Sequence, residues 1–153
     1  MFAWAGTTLG SGTLLLECDA ATLKRLEKRL TMFRMRADFE LVDVSGEYTV
    51  VALLGASDSA AAACADSVAP GIVAVDPRCR LIGHRILLPS NIDPAAVSNW
   101  TAAGPDIYRD ARHRLGLPEG MAEIEPDKLF PAEIGLDYLN GISFTVRHWS
   151  NLA

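Results

Sequence analysis

Several of the usual signposts are missing from this chain of 153 residues. Cysteine is scarce: Cys18, Cys64 and Cys79 are odd in number, far apart, and form no C-x-x-C pair. No histidine stands at metal-ligand spacing from them, so a disulfide framework and a structural zinc module are both excluded and no metal is expected. The simplest reading is buried or incidental thiols in a reducing compartment. Long apolar runs are absent too. None approaches the roughly 20 residues that span a bilayer, and "MFAWAGTTLGSG" has no basic start followed by an apolar stretch. Neither a membrane nor a secretory route is expected, and the cytoplasm is the default location. Positive charge is in deficit, with 14 Lys and Arg against 19 Asp and Glu, for a net charge of -5. Broad binding to nucleic acid rests on phosphate neutralisation, so DNA is not expected as a partner. Also missing are a glycine-rich phosphate loop and a nucleophile elbow.

The chain is 50% hydrophobic and 22% charged, which predicts a real core. "TLLLECD" (13–19) reads as a buried strand, with Asp19 placed to cap the next element. "AATLKRLEKRL" puts Leu23, Leu26 and Leu30 on one helical face and Lys24, Arg25, Lys28 and Arg29 on the other. "FELVDV" (39–44) and "YTVVALLG" (48–55) read as two strands of a hairpin turning at Ser45-Gly46. "SDSAAAACADSV" reads as a second helix with Ser57 or Asp58 as its cap, ended by Pro70-Gly71. "IVAV" (72–75) and "GHRILLP" (83–89) read as further strands, separated by the turn "DPR" (76–78). The order strand, helix, strand, strand, helix, strand, with one strand added, predicts an α+β ferredoxin-like split β-α-β unit over residues 1–89. Residues 90–144 change character. "PDIYRDARHRLG" (105–116) predicts a helix with proline at its first position, glycine after its end, and Ile107, Ala111 and Leu115 lining one face. An irregular segment rich in proline and leucine comes next, then a divergent tail at 145–153.

The motifs come in a telling order. "KRLTMFRMRADFELVDVS" (28–45), "DPR" then "LIGHRIL" (81–87), "YRDARHRLGLPEG" (108–120) and "PDKLFPAEIGLDYLNGISF" (126–144) succeed one another. Together they resemble the YgfZ-type folate-binding family, related to the T-protein of the glycine cleavage system, an aminomethyltransferase that uses tetrahydrofolate. The likeness covers about 13–144, and its last stretch is specific. It implies the T-protein-like fold, with residues 90–144 belonging to an incomplete second subdomain. It also implies tetrahydrofolate as ligand and iron–sulfur cluster assembly machinery or its client proteins as partners. The implied role is a folate-dependent accessory factor for cluster assembly or repair. The family continues after "GISF" into K-G-C-[YF]-x-G-Q-E, whereas this chain reads "TVRHWSNLA". The signature cysteine is missing, members of the family also start earlier, and the chain is expected to be truncated at both ends and impaired. The alternatives are a T-protein-like aminomethyltransferase and a non-catalytic interaction module that self-associates through exposed subdomain surface.

By resemblance, Glu133 lies near the folate site, where a carboxylate can accept hydrogen bonds from pterin donors. Read from the residues alone, it caps the turn that opens "EIGLDYL". Tyr138 offers a stacking face, set against a plain helical turn for Asp137 and Tyr138. Arg114 stands where T-proteins carry a glutamate, and otherwise complements a helix C-terminus. Lys24, Arg25, Lys28 and Arg29 could attract an anionic partner such as a polyglutamyl tail or RNA, or form a solvated face. Arg78 and Arg85 read first as members of structural ion pairs and second as carboxylate ligands. His84, His113 and His148 share no spacing and are read as structural or surface groups. No catalytic residue is assigned.

Overall fold

The structure is a computed structural model, and it describes residues 2–4, 13–96, 100–125 and 128–142. The expected tail at 145–153, with His148, lies outside these. Helices mix with antiparallel sheet. Strands β1 (Phe2–Trp4) and β2 (Leu15–Glu17) form a two-stranded antiparallel ribbon. A 3-10 turn at Ala20–Thr22, capped by the Asp19 carboxylate on the Ala21 amide, leads into α1 (Leu23–Phe33). The second sheet holds β3 (Tyr48–Leu53), β4 (Ile72–Val75) and β5 (His84–Pro89) in the order β3-β5-β4. Since β5 is antiparallel to both neighbours, β3 and β4 run parallel, joined by α2 (Asp58–Ser67). The strand read as an addition is thus the centre of the sheet, and every residue of it is buried.

The core lies between this sheet and α2. Period-two alternation sends Ile86 and Leu88 of β5, with Leu53 of β3, toward Ala61, Cys64 and Val68. The Ser57 hydroxyl accepts from the Ala60 amide and fixes the start of α2, as its sequence predicts. Gly83 opens β5 at φ +105, and a Cβ there would run into the Leu53 carbonyl, so no other residue fits.

Two expectations change. The turn forms, with the Glu47 amide bonded to the Val44 carbonyl at 2.9 Å, but residues 39–44 form no strand. In α3 (Pro105–Arg114), proline and the following glycine bracket the helix as read, yet Ile107 is exposed and Arg112 is the buried residue. Arg112 holds the turn after its helix together. It donates to the Leu117 carbonyl at 2.6 Å and to Glu123 at 2.8 Å, and Glu119 stands 3.1 Å away. A short helix, α4 (Gly120–Glu123), and a 3-10 turn at Pro131–Ile134 complete the described elements.

Leu88 is 1% exposed, and Leu88→Ala should cost about 3 kcal/mol in urea unfolding. Leu81 is solvent-facing, and Leu81→Ala should stay within about 0.5 kcal/mol of the unaltered chain.

Candidate functional site

The most unusual chemistry sits on the sheet face turned away from α2. Arg85 is the second residue of β5, so alternation points it opposite to His84 and Ile86. Its cross-strand partners are Ala52 on β3 and Ala74 on β4. Two alanines leave room for a guanidinium at the middle of the sheet. Arg85 is 8% exposed and pairs with Glu17 of β2, through Nη2 to Oε1 and through Nε to Oε2 at 3.2 Å. Its Nη1 lies 3.4 Å from Asp76 Oδ2 and 3.4 Å from the Tyr108 hydroxyl of α3.

The "DPR" turn supplies the rest. Asp76 Oδ1 accepts from the Arg78 amide at 3.0 Å, an Asx turn in which aspartate replaces a backbone acceptor. The same carboxylate takes Nε and Nη2 of Arg78 at 3.1 and 2.8 Å, the bidentate geometry that suits arginine. Arg78 Nη2 also donates to the Tyr108 hydroxyl at 2.9 Å. Among the described residues the cluster sets two cations against two anions, as burial of charge requires. Burial pushes the Asp76 carboxyl upward, but the hydrogen bonds and charge of Arg78, with Arg85 behind, outweigh it and hold the group below the ordinary value. Burial works against the charge on Arg85, and Glu17, with Tyr108 and Asp76 behind it, more than restores it.

The later segment reaches the same turn. The Asn140 amide donates to the Pro77 carbonyl at 2.9 Å, and Asp137 Oδ1 is buried without a hydrogen-bond partner among the described residues. The motifs "DPR", "HRIL", "Y-R-D-A-R" and "GLDYLNG" therefore meet at one junction. Arg78 and Arg85 are in structural ion pairs, as read. Glu17, Asp76 and Tyr108 carry no expectation from sequence. The alanines opposite Arg85 and the aspartate two residues before Arg78 are the signals that point to them.

The other candidates lie elsewhere. Glu133 is exposed, and its carboxylate accepts from the Phe130 amide at 2.7 Å, the capping role. Tyr138 is 87% exposed. Arg114 is exposed in the last turn of α3, where a cation suits the helix dipole. Lys24, Arg25, Lys28 and Arg29 form an exposed helix face, with Lys24 near Glu27 at 3.4 Å and Arg29 stacked 5.5 Å from the Phe33 ring centre. His84 lies 3.3 Å from Asp58 and His113 3.2 Å from Glu123, so the histidines serve separate pairs. Among the described residues no group of three or more His, Cys, Asp or Glu is arranged to hold a metal ion. Beneath α1 a cavity of about 330 Å³ opens between Leu23, Leu26 and Leu30 and the sheet residues Val50 and Leu87. A smaller one of about 240 Å³ lies between α2 and β4, beside His84. Neither is lined by Glu133, Tyr138 or Arg114.

Asp76→Asn leaves Arg78 and Arg85 short of an anion and should cost about 3 kcal/mol near neutral pH. Because the folded carboxyl titrates below its ordinary value of 3.8, its contribution is fully present above that pH and fades as pH falls through the lowered value. Acid unfolding curves should therefore converge for the two proteins at low pH and separate above about pH 4.

No family model matches the chain. Curated relatives do. The mouse protein "Iron-sulfur cluster assembly factor IBA57, mitochondrial" is 33% identical over 141 residues, covering 90% of this chain and 39% of the relative. The human protein of the same name is 34% identical over 134 residues, covering 86% and 37%. A homolog in Dictyostelium discoideum is 25% identical over 144 residues, covering 88% and 35%. The chain thus spans about two fifths of the length of these relatives. All three are mitochondrial by name, which overturns the cytoplasmic expectation. Composition and a reducing thiol count cannot tell cytosol from matrix, because the address is read from targeting segments and not from the folded core. Over most of its length the chain is similar to the IBA57 iron–sulfur cluster assembly factors.

Proposed function

We propose that the chain acts as an accessory factor in mitochondrial iron–sulfur cluster assembly, with the cluster assembly machinery as its partner. The observation that carries this reading is the 33% identity to the mouse factor across 90% of the chain. The junction around Arg85 supports it, because the family motifs converge there in space and not only in sequence order.

Tetrahydrofolate enters through the family resemblance. The residues in hand fit it poorly. Glu133 already serves as a cap, Tyr138 stands in solvent, and Arg114 is exposed at a helix end. We infer that folate binding needs more of the family fold than these residues provide. The ferredoxin-like reading stands as a proposal of the same kind. In it, β3, α2 and β4 with β5 inserted form one half, and residues 15–44 form the other, with 39–44 joining β3 beyond the Val44–Glu47 turn.

Cells lacking their own IBA57-type factor test the role. This chain, delivered to the matrix, should restore iron–sulfur enzyme activity above an empty vector, and a folded, imported chain that restores none would overturn the proposal. In a separate thermal shift under reducing, anaerobic conditions, tetrahydrofolate should leave the transition temperature unchanged. A saturable rise would show that a folate pocket survives here.

A further inference from the structure

Helix α1 presents three surfaces. Its leucines line the cavity of about 330 Å³, and its lysines and arginines face solvent. Its C-terminal end carries Met32, Phe33 and Met35, all exposed, with Met35 at 90%. Met35 also sits at φ +48, a left-handed conformation that an unbranched apolar residue adopts at a cost. Lys28, Arg29, Arg34 and Arg36 flank this knob. The cavity is its complement. Its apolar lining includes Leu16, Leu23, Leu26, Leu30, Val50 and Leu87. Among the described residues its charged lining is acidic: Glu40 and Asp43, with Glu27 beside Lys24 and Glu17 already engaged by Arg85.

An apolar knob ringed by cations and an apolar cavity ringed by carboxylates occur on one polypeptide. We propose that the cavity beneath α1 receives the 32–36 knob of a second copy of this chain. A two-fold axis that seats one knob in the partner's cavity seats the other as well, and this is the commonest closed arrangement. Burial of the methionine and phenylalanine side chains drives association, and the opposed charges set orientation and rate. The occupant is the second copy because the matching chemistry, apolar centre and basic rim in the right order, is present on the chain itself.

Sedimentation velocity of the whole chain over a wide concentration range tests this. The expected result is a reversible monomer–dimer equilibrium that weakens as salt rises, because part of the attraction is between surface charges. Phe33→Ser with Met35→Ser should shift the chain to monomer while leaving its unfolding transition in place, since both side chains are exposed in the monomer. A fluorescent peptide of residues 28–39 should bind the double variant saturably, and a scrambled peptide should not. A strict monomer at every concentration overturns the proposal. So does a dimer indifferent to the double variant, because then another surface carries it. If the peptide fails to bind while an apolar dye saturates the double variant, the cavity belongs to a small molecule and the proposal fails.

Discussion

A guanidinium buried at the centre of a sheet must be neutralised, and the organisation of this chain depends on how Arg85 meets that demand. Among the described residues its partners include Glu17 on the first ribbon, Asp76 after β4, and Tyr108 on α3. No local contact could substitute, because the residues opposite it on both neighbouring strands are alanines. The ribbon, the sheet and the helix are thereby joined at a single charged point. Arg78 completes the balance of charge and shares the Tyr108 hydroxyl.

The two faces of the sheet are held by different physics. Toward α2 the packing is apolar and dry, with Ile86, Leu88 and Val68 at its middle. On the other face polar contacts at Arg85 sit beside an apolar cavity at Val50 and Leu87. An apolar face adapts to substitution by small shifts, whereas a paired charge is specific in distance and direction. The motifs "DPR", "HRIL", "Y-R-D-A-R" and "GLDYLNG" gather on the charged face. That placement makes it the better candidate for a working arrangement between the ribbon, the sheet and the later segment.

Much of the local structure was legible. Ser57 announced α2, Pro105 and Gly116 bracketed α3, and the "DPR" turn and the Glu133 cap are short-range features that side-chain chemistry dictates. The failures were non-local. Hydropathy places Ile107 inward, but Tyr108 and Arg112 turn inward because their partners, Arg78 and Glu123, lie elsewhere in the chain. The Glu17–Arg85 pair spans 68 positions, and nothing in either local stretch names the other. Strand pairing has the same limit. The Ser45-Gly46 turn was predictable, yet which strand would lie at the centre of the sheet was not. The compartment lay outside the reach of fold chemistry altogether, and the names of the relatives corrected it.

Native-state hydrogen exchange on an Arg85→Leu variant tests the central claim most directly. If Arg85 joins the ribbon and α3 to the sheet, amides of Leu15–Glu17 and Pro105–Arg114 should lose protection first, while α2 and the strands packed on Val68 keep theirs. Uniform loss across all elements, or no change in β2 and α3, would contradict the account.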